Sequence, residues 1–279
     1  MLRTMITATN TMNQLQQQID TISNNLANSN THGFKAKEVQ FSELLYQEFA
    51  NDKLDTTQRQ SPTGIRYGVG AQIGQIQTNY SQGSIQQTDR DLDLAFTKEK
   101  QYFNILMPDE AAGTNLVYSR QGDFYVSPME NGEVMLVNVD GYAVADSEGN
   151  PILFDDNFEN FNLTNDGILS VNYPDGTTQA FELGITELQK PQVLQHVSGT
   201  YFDLPTNFAE LGYDEAEVIN DLQGAAREQI GIMNRALEQS NVNLSKEMTE
   251  LITAQRSYQF QSRAITLADQ MLGLINGIR

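Results

Sequence analysis

Residues 5–28 read MITATNTMNQLQQQIDTISNNLAN, and apolar side chains recur in this stretch at alternating intervals of three and four residues. The positions between them are almost entirely polar. This alternation, sustained over about three heptads, places the apolar side chains on one face of an α-helix and is typical of a coiled coil. We name the following set the N-terminal seam: Met5, Ala8, Met12, Leu15, Ile19, Ile22 and Leu26.

A second apolar pattern of the same kind lies at the other end of the chain. Its members are spaced 4, 3, 7, 7 and 7 residues apart. Asn243 precedes the pattern and is expected to cap the helix, which then extends over roughly 30 residues, or about 45 Å. We name this set the C-terminal seam: Leu244, Met248, Leu251, Tyr258, Ile265 and Leu272.

The middle of the chain has a different sequence pattern. Short runs typical of β-strands, at 102–107, 133–139, 168–173 and 179–183, are separated by Asn-Gly and Asp-Gly dipeptides that favour tight hairpin turns. We therefore predict an α+β fold with a central antiparallel β domain at 101–204. Residues 1–33 and 241–279 form a terminal domain of coiled-coil helices that pair with each other, and residues 34–100 and 205–240 form an extended connector.

The charge is distributed unevenly along the chain. The formal net charge is −19, but residues 1–40 and 241–279 each sum to +1, so the remainder carries −21. Because phosphate binding needs clustered Lys and Arg, we expect no nucleic-acid partner. The longest apolar runs are a few residues, which predicts no integral membrane contact. The absence of cysteine excludes disulfides and thiolate chemistry.

Long terminal helices with a narrow apolar face have little protein of their own to pack against. Backbone ordering costs about 1 to 2 kcal/mol per residue, which the burial of seven seam side chains does not offset. We expect both ends to be loose in the isolated chain and to fold on assembly with other copies. An intramolecular helical hairpin remains the alternative.

Signals for chemistry are weak. The stretch at 68–74 contains three glycines, but the third is one residue late for a dinucleotide fingerprint. His32 and His196 are the only histidines and are expected in a loop or at a sheet edge. The alternating Asp89, Asp91 and Asp93 lack the glycine that a calcium loop needs. We therefore expect no enzyme activity and no catalytic, cofactor-binding or metal-binding residues.

Three segments carry a resemblance to a known family. ISNNLAN at 22–28 with GFK at 33–35, EQSNVNL at 238–244 with QRSY at 255–258, and QGS at 82–84 with LDLA at 92–95 resemble segments of bacterial flagellar rod and hook proteins. The resemblance implies an inner tube of terminal helices with β-rich regions outside. It also implies location in the flagellar basal body, copies of itself and other rod and hook proteins as partners, and export by the flagellar type III apparatus.

The residues that match the family's motifs include several polar side chains. Asn24, Asn25 and Asn28 either belong to a polar helix face that ends in a cap or bond neighbouring subunits. Gly33 is expected to serve backbone geometry, Tyr258 to be core, and Arg256 to contact another subunit. Phe41 with Leu45 fits an export-gate pattern, which is also one turn of an amphipathic helix. The remaining motif residues are Phe34, Asn241, Asn243 and Gln255.

The resemblance implies a rod subunit, most similar to the distal rod, that transmits torque from motor to hook. A proximal-rod or hook subunit is the alternative within the same class. A secreted carbohydrate-active protein or adhesin is the alternative from another class, and it predicts a pocket with convergent carboxylates in the β domain.

Overall fold

The computed structural model describes residues 2–43, 47–49, 65–67, 71–109, 113–130, 132–205 and 215–277. The chain divides into two compact units. Unit 1 comprises residues 1–27, 37–77 and 243–279, and unit 2 comprises 28–36 and 78–242. The three-part division expected from the sequence stays a prediction.

Unit 1 is built on two long helices, α1 (Leu2–Ala27) and, at the end of the chain, α3 (Leu244–Gly277), which pack against each other. Two small strand pairs, of which the second is antiparallel, complete its described part. Strand β1 (Lys37–Glu43) pairs with β4 (Ala71–Thr78), and β2 (Gln47–Phe49) pairs with β3 (Ile65–Tyr67). Asn243 caps α3 as predicted, because its Oδ1 accepts from the amides of Ser245 and Lys246, each at 3.1 Å.

Unit 2 is mainly β-structure. Its only described α-helix is the single turn α2 (Glu215–Val218), and two 3-10 helices span Pro191–Val193 and Gly224–Gln229. The strands are β5 (Ile85–Gln87), β6 (Leu94–Phe96), β7 (Gln101–Asp109), β8 (Gly113–Ser119), β9 (Tyr125–Pro128), β10 (Glu133–Val137), β11 (Ala143–Val144), β12 (Leu153–Asp155), β13 (Asn160–Leu163), β14 (Ile168–Asn172), β15 (Thr178–Glu182), β16 (Ile185–Leu188), β17 (Gln195–Ser198), β18 (Tyr201–Asp203), β19 (Ile219–Asp221), β20 (Ile232–Asn234) and β21 (Ala236–Glu238).

The largest sheet of unit 2 is antiparallel and runs in the order β12-β10-β11-β7-β8-β18-β17. Strand β9 also pairs with β10, and β16 pairs with both β7 and β19. Strands β13, β14 and β15 form a meander, while β5 pairs with β21 and β6 with β20. The core between these sheets is rich in aromatic and branched side chains, with Phe103, Ile105, Phe124, Val144 and Leu183 almost completely buried.

The predicted hairpins are confirmed where the structure describes them. Gly141, Gly167 and Gly176 have φ angles of 84°, 76° and 84°, and the strands on either side of each pair antiparallel. The α+β fold with terminal helices and central antiparallel sheets is therefore as expected from the sequence. Within the described ranges, no helix combines the length and apolarity that a membrane span requires.

Candidate functional site

The helix pair of unit 1 brings the two seams together within one chain. Every side chain of the N-terminal seam is at least half-buried, and Ala8 and Ile22 are 7% and 3% exposed. This intramolecular packing is the alternative that the sequence left open. The expectation that the ends are loose before assembly concerns the chain in solution and stays a prediction, which circular dichroism of the dilute protein tests.

On α3, the face toward α1 differs in part from the C-terminal seam. Leu251, Tyr258, Ile265 and Leu272 are half-buried, but Leu244 and Met248 are 49% and 50% exposed. The covered face also includes small or polar residues, which the apolar pattern of the C-terminal seam does not contain. The covered residues recur at intervals of four and three: Glu247, Leu251, Ala254, Tyr258, Gln261, Ile265, Ala268 and Leu272.

Another face of α3 leaves large apolar side chains exposed. They lie mainly in the second half of the helix, beyond Gln259. Four of them are spaced 7, 4 and 3 residues apart, so they continue along one side of the helix. We name this set the outer stripe: Phe260, Leu267, Met271 and Leu274.

Asn25 ties the end of α1 to the start of β1. Its Nδ2 donates to the carbonyl of Lys37 at 2.8 Å, and its Oδ1 accepts from the amide of Lys37 at 2.9 Å. The side chain is 1% exposed and also bonds the carboxyl of Glu247. Asn24 is exposed, whereas Asn28 is half-buried and accepts from the Thr31 hydroxyl at 3.3 Å. Asn25 thus bonds groups of its own chain.

In unit 2, the GFK segment packs closely against two other backbone segments. Gly33 has a φ angle of 70°, and its amide donates to the carbonyl of Glu238 at 2.8 Å. A Cβ at this position would lie 2.6 Å from backbone atoms of Arg120 and Gln121. Phe34 is 2% exposed. Gly33 therefore serves backbone geometry, through both its positive φ and the close approach.

A buried ion cluster links three distant parts of the sequence. Glu238 Oε1 accepts from Lys35 Nζ at 2.6 Å, and Glu238 Oε2 accepts from Arg120 Nε at 2.8 Å. All three side chains are 1% exposed. Arg120 Nη1 also donates to the carbonyl of Gln101 at 3.1 Å. Burial lowers the pKa of Lys35, although the charge of Glu238 opposes that shift.

Asn241 forms hydrogen bonds with further segments of unit 2. Its Oδ1 accepts from the amide of Ala36 at 2.7 Å, and its Nδ2 donates to the carbonyls of Asn79 and Ser81 at 2.8 and 3.0 Å. The amide of Asn79 donates back to the carbonyl of Ala36 at 2.8 Å. One amide side chain thus holds two stretches of backbone, at residue 36 and at 79–81, that are far from it and from each other in sequence.

The QGS and LDLA segments belong to the same region. The amide of Gly83 donates to Glu238 Oε1 at 3.0 Å, and a Cβ on Gly83 would lie 1.9 Å from the carbonyl oxygen of Gln239. Leu94 and Ala95 are 2% and 1% exposed and lie in β6, paired with β20. Leu94 and Ala95 are therefore core residues.

Two carboxyl groups are buried together beside this region. Asp93 and Asp123 form an isolated antiparallel bridge and are 2% and 7% exposed. Arg90 Nη1 lies 3.2 Å from Asp93 Oδ1. Burial raises the pKa of Asp123, and the nearby charge of Asp93 adds to that shift, while Gln121 and His32 oppose it.

The other predicted residues lie on the surface, in a turn or on an edge strand, or outside the described residues. Phe41 is 43% exposed on β1, and Leu45 lies outside the described residues, as do residues 68–70 of the glycine stretch, whose remaining residues 71–74 lie in β4. Gln255 and Arg256 are exposed on α3. His32 lies in a turn and His196 on the edge strand β17, as expected. Sequence reasoning missed Arg120, because its partners lie far away in the chain.

Unit 2 also contains a cavity of about 190 Å³, whose lining includes Glu148 and Asp221. Asp221 is engaged in the fold, since its Oδ1 accepts from the Thr186 hydroxyl at 2.7 Å. That hydroxyl also lies 2.8 Å from Asn104 Oδ1. The cavity thus adjoins a structural hydrogen-bond network.

Similarity to known proteins covers both units. Residues 5–35 match the family model described as flagella basal body rod protein, and residues 233–278 match the one described as flagellar basal body rod FlgEFG protein C-terminal. The chain is 44% identical to the flagellar hook-basal body complex protein FlhP of Bacillus subtilis, over the full length of both. It is 33% identical to the flagellar basal-body rod protein FlgG of Borreliella burgdorferi, over 100% of this chain and 99% of FlgG. Identity to FlgG of Bacillus subtilis is 31%, over 98% and 97%.

The family models match segments in the paired terminal helices and in the β-rich unit, which defines a flagellar structural protein. The chain belongs to the flagellar basal-body rod family. It is therefore a structural subunit of the rod in the flagellar basal body and not an enzyme.

Proposed function

We propose that this subunit belongs to the distal rod, where it assembles with copies of itself into a helical axle that transmits torque from motor to hook. Its other partners are then the neighbouring rod and hook proteins. A match along nearly the whole length of rod relatives supports this assignment over the hook, whose subunits are usually longer. The proximal rod and the hook remain the alternative positions.

The observation that carries self-assembly is the outer stripe. Its four side chains, Phe260, Leu267, Met271 and Leu274, are 72%, 59%, 44% and 68% exposed. Fully burying a large apolar side chain contributes about 1.5 to 3 kcal/mol, so covering the stripe favours association by several kcal/mol. A contact between unlike surfaces of two copies generates an open helical filament when the rotation between the copies does not close into a ring.

The helix pair suits the interior of such a filament. We infer that α1 and α3 pair as a coiled coil, because the covered positions on both helices alternate by three and four residues. The terminal segments are close to neutral, while the remainder of the chain carries −21. Neutral helices pack together in many copies without accumulating repulsion, and the acidic body keeps the outside soluble.

Export through the flagellar type III apparatus is the remaining part of the proposal. Phe41 is the described member of the proposed export pair with Leu45, and its side chain is exposed. Phe41→Ala is expected to lower the amount of subunit exported without lowering the amount made. Tyr125→Ala is the matched control, because Tyr125 is 42% exposed in the β-rich unit. Immunoblots of cell and exported fractions measure both amounts.

Deletion of the gene followed by electron microscopy of purified basal bodies tests the function. A truncated rod is expected, and its length distinguishes a proximal from a distal position. A complete hook-basal body in the deletion strain contradicts the assignment.

Complementation with variants of the outer stripe tests the mechanism. Leu267→Ser with Leu274→Ser is expected to leave rods truncated, because the stripe loses much of its apolar area. Met129→Ser is the control, since Met129 is 46% exposed but lies in the β-rich unit. Full-length rods with the double variant would show that the stripe is not an assembly contact.

A further inference from the structure

A small polar cavity lies within unit 1, beside α1, β1 and α3. Its volume is about 110 Å³. The charged residues in its lining are Glu38, Glu247, Glu250, Lys37 and Lys246. The cavity lining thus contains three carboxyl groups and two ammonium groups.

Glu247 is the buried member of this group. The residue is 6% exposed, and its Oε2 has no hydrogen-bond partner among the described residues. Burial raises the pKa of Glu247, with Glu250 and Glu38 adding to the shift, whereas the Asn25 amide and Lys246 oppose it. A buried carboxylate with an unsatisfied oxygen is costly, so a donor that reaches Oε2 is strongly favoured.

The two lysines of the lining do not meet this need. Lys246 Nζ lies 3.6 Å from Glu38 Oε1 and 4.0 Å from Glu250 Oε1, and its side chain is about half exposed. Lys37 does not donate to Glu247 Oε2 either, because that oxygen has no hydrogen-bond partner among the described residues, and burial lowers the pKa of Lys37. Within the described ranges, no group of three or more acidic or histidine side chains has the geometry to hold a metal ion.

Two arginines on α3 are suitable donors. Arg256 and Arg263 are exposed, and neither has an ion-pair partner among the described residues. Arg256 follows Glu247 by nine residues, which at 3.6 residues per turn places it on the opposite face of the helix and about 14 Å along it. Arg263 is also near the opposite face and farther along. Neither reaches the cavity of its own chain.

We propose that this cavity binds the guanidinium group of Arg256 or Arg263 from α3 of a second copy of the chain. The inference rests on the proposed self-assembly and names one contact that holds neighbouring subunits together. A guanidinium group supplies several donors in a planar fork, so it can bond Glu247 Oε2 and the more exposed Glu250 together.

A charge-swap experiment in bacteria tests the contact. Glu250→Arg, Arg256→Glu and Arg263→Glu are each introduced into a strain that lacks the native gene, singly and in the two pairs that include Glu250→Arg. Full-length rods are counted in purified basal bodies. Glu250→Arg is expected to lower the count at least about tenfold, and one of the two pairs to restore it to within about threefold of the native protein.

The control pair is Glu250→Arg with Lys190→Glu. Lys190 is a half-exposed lysine of unit 2, so this pair restores the net charge without restoring the contact. Rescue by the control pair as well as by the arginine pairs, or rescue by neither arginine pair, overturns the proposal. If the native protein itself forms no rods, self-assembly fails instead.

Glu247→Gln separates this contact from a purely internal role. Glutamine keeps the shape of the side chain and removes the buried charge, so the purified variant is expected to melt no lower than the native chain. Its rod count is nevertheless expected to fall at least about fivefold, because the guanidinium group loses its counter-charge. An unchanged rod count overturns the proposal. So does magnesium chloride that stabilises the native chain and not the variant, because a metal ion would then fill the cavity.

Discussion

The side chain of Asn25 holds both polar groups of the Lys37 backbone, donating to its carbonyl at 2.8 Å and accepting from its amide at 2.9 Å. An amide is the only common side chain of this size that offers a donor and an acceptor side by side. A pair of hydrogen bonds, one donated and one accepted, therefore joins the last turn of α1 to the first residue of β1.

Asn25→Asp is expected to destabilise the protein by about 2 kcal/mol, because a buried donor is lost and a carboxylate then faces the Lys37 carbonyl and Glu247. Urea unfolding followed by circular dichroism measures the change. Asn13→Asp is the matched control, since Asn13 lies on the exposed face of the same helix. Equal effects of the two variants would mean that the Asn25 bonds contribute nothing.

Gly33→Ala is expected to cost about 3 kcal/mol or more, because the new Cβ meets the backbone of Arg120 and Gln121 in addition to straining a φ angle of 70°. Gly113→Ala separates the two causes. Gly113 has a φ angle of 86° but nothing within 4 Å of a Cβ, so only about 1 to 2 kcal/mol is expected there. Differential scanning calorimetry compares them, and similar losses would rule out the close approach as a cause.

Glu238→Gln is expected to destabilise unit 2 by about 3 to 5 kcal/mol, since Lys35 and Arg120 are then buried without a counter-charge. Glu217→Gln removes one partner of the ion pair with Lys190, whose side chains are 59% and 41% exposed. Its expected cost is below about 1 kcal/mol. Chemical denaturation of both variants measures the two losses of stability. Equal losses would mean that the buried cluster is not charged.

Asp123→Asn is expected to stabilise the protein at neutral pH and to lose that advantage in acid. The pKa of Asp123 is raised above its ordinary value of 3.8 in the fold, so its favourable contribution is present below that value and is lost as the pH rises through the folded pKa. Melting temperatures of the two proteins between pH 4 and pH 7 measure the difference.

That difference should widen as the pH rises toward the folded pKa of Asp123 and level off above it. Asp93 and His32 act on the Asp123 carboxyl group. Asp89→Asn serves as the control, since Asp89 is exposed. A melting-temperature difference that stays constant for Asp123→Asn would contradict a raised pKa.

The terminal helices, the hairpins and the family were all predictable from the sequence. Each depends on local spacing: the 3-4 alternation from Met5 to Leu26, the cap at Asn243, and glycines that follow Asp at 141, 167 and 176. Local patterns of this kind report the preferred backbone conformation and the side that is buried, and they are read within one or two turns of chain.

The contacts that join distant segments were decided only by the tertiary structure. Nothing near Glu238 indicates that its carboxylate meets Lys35 and Arg120, which lie 203 and 118 residues away. Leu244 and Met248 look like seam residues, yet Glu247 and Ala254 take the covered positions. The physical reason is that periodicity determines which side chains share a face, whereas burial depends on what packs against that face, and for the outer stripe of α3 no covering segment lies within the described chain.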